Sequence, residues 1–362
     1  MRNTVTMAEY EYAAQLINKH KGNVRAACRE GAPVAGITEG AFESRCKKAR
    51  SLGLWSREAF VRLPPVQHSA IPMAAALPDD DIPPEELINS LVKRFERRKA
   101  HRDAKLWRKF TVPVAGPYAL MFFGDPHIDD NGCDWSLFRR HCELARDTEA
   151  LYAVNVGDTT NNWMGRLARL WAEQDTSSST ARKLVKWLFN DSGVPWFLWL
   201  MGNHDTWPGP VGSETLERFR PEAVAMEEWG AKFTLVSPNG VELRVHASHD
   251  FPGHSQWNPL HGPMKEALWG DHAHLYVAGH KHNWALFNGE HNHRGNIFWL
   301  ARARGYKVID HYADLHGFGS QSHGHSILAV VDPDAPEGPK RLMCFSDPFE
   351  GADYLKFKRR GI

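Results

Sequence analysis

Residues 118–127 run Tyr118-Ala119-Leu120-Met121-Phe122-Phe123-Gly124-Asp125-Pro126-His127. A short apolar run closed by glycine reads as a buried strand. Here it delivers a carboxylate and an imidazole straight after its end. The same pattern returns along the chain. Leu151 to Val156 is followed by Gly157, Asp158, Thr159, Thr160, Asn161 and Asn162. Trp196 to Met201 leads to Gly202, Asn203, His204 and Asp205. Val241 to Val245 leads to His246, Ala247, Ser248, His249 and Asp250. Leu275 to Ala278 leads to Gly279, His280, Lys281 and His282. In α/β sheets, ligand sites collect beyond the carboxyl ends of strands. Ile297 to Ala301 and Ile327 to Val331 add two further strands, so an α/β domain is expected over 116–350.

The residue types suit a two-metal site. Mixed Asp, His and Asn donors fit Mn²⁺, Fe or Zn²⁺ better than Ca²⁺ or Mg²⁺, which prefer oxygen shells. A carboxylate such as Asp158 can bridge two cations, and Asn203 can coordinate through its carbonyl without adding charge. Two cations about 3.5–4 Å apart can activate water and clamp a phosphoryl group.

The ordered series Asp125-x-His127, Gly157-Asp158-x-x-Asn161, Gly202-Asn203-His204-Asp205, a strand-end histidine and Gly279-His280-x-His282 resembles the calcineurin-like metallophosphoesterase superfamily. The resemblance covers about residues 116–330. It implies a two-sheet α/β sandwich flanked by helices. It also implies hydrolysis of a phosphoester by metal-activated hydroxide attack on phosphorus, with two divalent ions, Mn²⁺ first and Fe or Zn²⁺ as alternatives. Carried over residue by residue, Asp125, His127 and His282 hold one metal and Asp158 bridges. Asn203, His249 and His280 hold the second. His204 sits near the phosphate, and Asp205 orients His204. The fourth strand offers both His246 and His249. The stretch 249–258 resembles phage-type members, which favours His249. Spacing favours Asn161 over Asn162 as the supporting asparagine.

The N-terminal third is of another kind. The net charge of +1 hides an asymmetry: residues 1–110 carry 20 basic and 13 acidic residues, a balance of +7, and the remainder carries −6. Of 20 histidines, 17 follow residue 120, which places metal-ligand chemistry in the later part. Helical spacing and punctuation predict helices over 8–20, 24–30 and 39–52, with Gly31-Ala32-Pro33 breaking the second. Residues 1–55 resemble a helix-turn-helix domain, and Arg45, Lys47, Lys48 and Arg50 on the third helix would contact DNA. Residues 56–115 read as a Pro-rich linker, then a basic helix from Pro84 to about Lys109. Residues 351–362 read as an exposed, frayed basic tail.

No run approaches the roughly 18 to 20 apolar residues that span a bilayer. Residues 1–12 lack the apolar core of a secretory signal. The five cysteines form no Cys-x-x-Cys pair, which fits a reducing compartment. A cytoplasmic protein without membrane contact is expected. Phosphoprotein phosphatases of the superfamily continue Gly-Asp into Val-Asp-Arg-Gly and place Arg before Gly-Asn-His. Thr159, Thr160 and Met201 stand there instead, which counts against that activity. With the basic N-terminal segment, the leading expectation is a phosphodiesterase or nuclease acting on DNA. A phosphomonoesterase or nucleotide phosphodiesterase on a small molecule is the first alternative. A DNA-binding regulatory or scaffold protein is the second. Trp163, Trp207, Trp257 and Trp284 lie a few residues from ligand motifs, where an aromatic face could stack a base.

Overall fold

The computed structural model describes residues 4–60, 81–309 and 321–360. The chain divides into two units, Met1–Ile82 and Pro83–Ile362. Much of the expected linker lies outside the described residues.

The first unit is three helices: α1 (Met7–Lys19), α2 (Val24–Val34) and α3 (Glu39–Ser51). Asn23 and Thr38 cap α2 and α3, their side chains accepting from Ala26 N and Ala41 N. Ile17, Ala27, Phe42, Cys46 and Trp55 form the core. The expected break at Gly31 does not occur. Gly31 is buried inside α2, and a Cβ there would meet the Phe42 ring at 2.2 Å, so the glycine serves close packing. Pro33 sits in the final turn, where it ends the helix at Val34.

The second unit opens with α4 (Pro84–Lys105), which buries no residue. The helix ends short of Lys109 because Arg108–Thr111 is a strand, β1. There follow β2 (Tyr118–Phe123), α5 (Trp135–Asp147), β3 (Leu151–Asn155), α6 (Ser178–Asn190) and β4 (Trp196–Met201). Next come a single turn α7 (Asn203–Thr206), α8 (Ser213–Phe219), β5 (Ala225–Glu228), β6 (Gly230–Val236) and β7 (Glu242–Ser248). The chain continues through α9 (His261–Trp269), β8 (Leu275–Ala278), β9 (Ala285–Glu290) and β10 (Ile297–Arg302). It closes with β11 (Ser326–Val331), β12 (Leu342–Phe345) and α10 (Pro348–Arg359).

These strands form two six-stranded sheets, ordered β12-β11-β2-β3-β4-β5 and β1-β6-β7-β8-β10-β9. β2 to β5 are parallel neighbours in the first, and β7, β8 and β10 in the second. Alternation sorts the side chains of β2. Tyr118, Leu120 and Phe122 enter the core between the sheets, with Val245 and Val277 from the other side. Ala119, Met121 and Phe123 face the opposite way, under α5, α6 and α10. Tyr276, Phe298 and Leu300 pack beneath α9 on the outer face of the second sheet. The architecture is therefore an α/β two-sheet sandwich flanked by helices, preceded by a small helical region, as expected.

The C-terminal tail corrects its expectation. Residues 348–359 form α10, with Ala352 and Leu355 fully buried. Arg359 donates to the carbonyls of Ala115 and Pro117, and Lys358 pairs with Asp332. The basic residues misled because they occupy the outer face of an amphipathic helix.

Candidate metal centre

Asp158 follows β3 in the first sheet and His249 follows β7 in the second, yet their side chains meet. Asp158 Oδ2 lies 3.2 Å from His249 Nε2. His249 Nε2 is also 3.1 Å from Asn203 Oδ1 and 3.1 Å from His280 Nδ1. Its other nitrogen, Nδ1, donates to the Val156 carbonyl at 2.9 Å, which turns the Nε2 lone pair inward. Three donor atoms therefore lie 3.1–3.2 Å from His249 Nε2, and those of Asp158, His249 and His280 all lie within 4.8 Å of one another. Ligands bound at about 2.1 Å in octahedral geometry stand about 3 Å apart along an edge, so the donor set fits one cation.

A second group lies near the same carboxylate oxygen. His127 Nε2 and His204 Nε2 are 3.9 and 4.0 Å from Asp158 Oδ2. Both nitrogens of buried His127 lack a hydrogen-bond partner, as does Asp125 Oδ1. Buried polar atoms without partners are rare outside functional sites. The His282 ring centroid is 5.2 Å from that of His127. Asp125 Oδ2 accepts from His280 N at 2.6 Å, and Oδ1 is 3.4 Å from His249 Nδ1. Two potential metal groups thus share Asp158: His127 with His204, and His249 with His280.

The backbone is bent to bring these groups together. His127, Asp158, His280 and His282 all take positive φ, between 40° and 70°. Such residues are uncommon outside glycine, and they cluster at functional sites. Gly202 serves close approach: a Cβ there would meet Asp158 Oδ1 at 2.2 Å and His249 Cε1 at 2.6 Å. Fully buried Arg302 braces two ligand loops, donating to Asp250 at 2.8 Å and to the Gly279 carbonyl.

Electrostatics follow from burial. Burial, then the neighbouring Asp158 charge, pushes the Asp125 carboxyl up to about 8. Burial alone would raise Asp158 as well, but His249 and His204 hold it well below the usual carboxylate range. Burial opposes charge on His249, yet the Asp158 and Asp125 carboxylates push it up to about 10. His127 falls well below its ordinary value through burial and the adjoining His204 and His282. A divalent cation favours ionised carboxylates and neutral imidazoles together, as a ligand set requires.

Of the sequence-predicted residues, Asp125, His127, Asp158, Asn203, His204, His249, His280 and His282 come together. His246 does not. It faces Glu266 at 3.3 Å and packs on Phe251 and Tyr276. Asp205 is beside the cluster but leaves the His204 imidazole alone. Its carboxylate accepts from Thr159 N and Gly202 N, both at 3.0 Å, and so ties the β3 loop to the β4 loop. His204 is instead held through Nδ1 by the Asn161 carbonyl. Both asparagines support the site: Asn161 bonds Asp130 and Gln174, and Asn162 bonds the carbonyls of His204 and Trp207. Trp163 and Trp207 flank His204 at ring distances of 5.3 and 4.4 Å. Trp257 is exposed, and Trp284 packs against Gly324.

On the first unit, Arg45 pairs with Glu9, Lys47 with Glu43 and Arg50 with Glu58, while Lys48 is exposed without a carboxylate partner among the described residues. The sequence reading missed Trp229, whose ring lies 5.2 Å from His249. It stands in a turn between two short strands, where no motif marks it.

No protein-family model matches the chain, and no curated protein matches it. Among solved structures it is similar to the NAD nucleotidase NadN of Haemophilus influenzae, with a TM-score of 0.37 and 9% identity. The match covers 63% of this chain and 49% of that one, so the chain spans about half its length. Among the described residues, no helix is long and apolar enough to cross a membrane.

Proposed function

We propose that the second unit is a binuclear metal-dependent phosphodiesterase acting on DNA. One observation carries the reading: a single carboxylate oxygen, Asp158 Oδ2, lies within 4.0 Å of imidazole nitrogens from both groups, those of His127 and His204 and that of His249. Asp125, His127, Asp158 and His282 would hold one cation, and Asp158, Asn203, His249 and His280 the other. Bound divalent ions supply charge neutralisation at the phosphoryl oxygens and lower the pKa of water.

The protein's own contribution is orientation and proton handling. His204 Nδ1 donates to the Asn161 carbonyl, which fixes the ring with Nε2 toward Asp158, so that the imidazolium form carries a second proton on Nε2 facing the cluster. A proton there can be donated to a phosphoryl or leaving oxygen. Trp163 and Trp207 restrict the ring and exclude water from its faces. The helical first unit would then act as a DNA-binding module that raises the local concentration of substrate. Among the described residues, Lys48 is the one of the four proposed DNA contacts with no carboxylate partner.

The test is hydrolysis of bis-p-nitrophenyl phosphate by metal-stripped protein with and without Mn²⁺, followed by single- and double-stranded DNA. Metal-dependent turnover that is lost in Asp158→Asn supports the reading. Absence of turnover with Mn²⁺, Fe²⁺ and Zn²⁺ overturns it.

A further inference from the structure

Beside the cluster a cleft of about 940 Å³ opens between the C-terminal half of α4 and the segment that runs from β5 into the start of β6. It is not lined by the ligand imidazoles. It begins one residue to either side of His249, at Ser248 and Asp250, and at Trp229. Trp229 is 43% exposed although its ring lies 5.2 Å from His249 and 6.2 Å from His280. Its backbone has φ 60°, unusual for so large a residue. Four bonds hold it: its N–H donates to Met201 O at 2.9 Å, its carbonyl accepts from His249 N at 2.6 Å and from Ser248 Oγ at 3.3 Å, and its indole N–H donates to Asp250 O at 3.2 Å. The result is an aromatic face fixed in place and open to solvent.

The opposite wall is cationic. Of the six acids lining the cleft, Glu227 pairs with Lys105, Glu266 and Asp271 share Lys232, and Asp250 pairs with Arg302. Arg98, Lys99 and Arg102 line it from α4, exposed and without a carboxylate partner among the described residues. Asp103 and Glu228 complete the acids, so the cationic character belongs to the α4 wall, where Arg98, Lys99, Arg102 and Lys105 outnumber Asp103. Phe95, 67% exposed, offers a second aromatic surface on the same wall.

We propose that this cleft binds a single strand of nucleic acid, one base stacking on Trp229 and the flanking phosphates meeting Arg98, Lys99 and Arg102. The inference rests on the phosphodiesterase reading of the adjacent centre, to which the strand would present its next phosphodiester. A pinned aromatic opposite a basic helix face suits unstacked bases, whereas duplex bases have their faces covered by neighbours. Guanidinium groups bind phosphate through paired hydrogen bonds.

The probe is a short oligodeoxythymidylate carrying a central 5-iododeoxyuridine, photocross-linked to full-length Asp158→Asn protein in chelator. Binding then needs neither metal nor turnover. The expected cross-link maps to Trp229. Trp229→Leu weakens binding about 5- to 150-fold, the range for stacking of one base. Arg98→Glu with Arg102→Glu weakens it further and flattens its salt dependence. Lys340→Glu, an exposed lysine outside the cleft, leaves affinity unchanged. Cross-links confined to residues 4–60, wild-type affinity in the arginine pair, or tighter binding of duplex than of single strand would overturn the proposal. If Trp229→Leu does not fold, the arginine pair, on a fully exposed helix face, decides. A wild-type protein that cross-links at Trp229 yet never hydrolyses a phosphodiester sinks the enzymatic reading and keeps the binding site.

Discussion

Asp158 Oδ2 and His249 Nε2 approach to 3.2 Å across the seam between the two sheets. The residues lie 91 positions apart in the chain, and neither sheet alone contains both. The centre therefore exists only when the sandwich has closed, and its weakest point is the carboxylate both halves share.

Asp158→Asn tests that sharing. Loss of a supporting partner in a metal site commonly costs 10- to 100-fold in affinity or activity. Loss of a shared ligand is expected to cost at least about 100-fold in metal-dependent hydrolysis. Titration calorimetry with Mn²⁺ should show fewer than two sites per chain in the variant.

Gly202→Ala separates site geometry from fold. The Gly202 backbone, at φ −86°, accepts any residue, so the methyl group acts only through contact with Asp158 and His249. We expect a folded protein by circular dichroism whose Mn²⁺ affinity falls about 10-fold or more. Unchanged affinity would mean that the two side chains yield freely.

The strand ends were legible from the chain because their chemistry is local: a glycine, then a ligand, after four of the five apolar runs, and histidines without a glycine after the other. What stayed hidden depends on tertiary packing. Arg108–Thr111 is a strand only because it pairs with Phe233–Val236. Its basic residues read as a helix continuation. Asp205 follows His204 in sequence, so proximity suggested that it orients the imidazole. The turn at α7 instead aims its carboxylate at Thr159 N and Gly202 N.

That difference has a consequence. Asp205→Ala leaves two buried N–H groups unpartnered, each costing about 1–3 kcal/mol. The variant should lose thermal stability and metal affinity together. His204→Ala should keep both and lose about 10²- to 10⁴-fold in kcat, the usual contribution of a positioned acid or base. Differential scanning calorimetry beside kinetics distinguishes the two.

His246 provides a pH test. Burial, then Lys232, depresses its pKa to about 3, against about 6.5 in the unfolded chain. Below pH 6.5 the unfolded state takes up a proton that the folded state refuses. The contribution is therefore full above 6.5 and is lost as pH falls toward 3, at about 1.4 kcal/mol per pH unit. His246→Leu removes the penalty, so the stability difference between wild type and variant should shift in the variant's favour between pH 7 and pH 5. Denaturant titrations at both values check this. The same variant should keep its metal, whereas His249→Leu should not.

The most direct measurement is the electron paramagnetic resonance spectrum of wild-type protein loaded with two equivalents of Mn²⁺, beside Asp158→Asn. A shared Asp158 predicts an exchange-coupled pair in the wild type and an uncoupled six-line signal in the variant. A six-line signal from a single Mn²⁺ per wild-type chain would contradict the account.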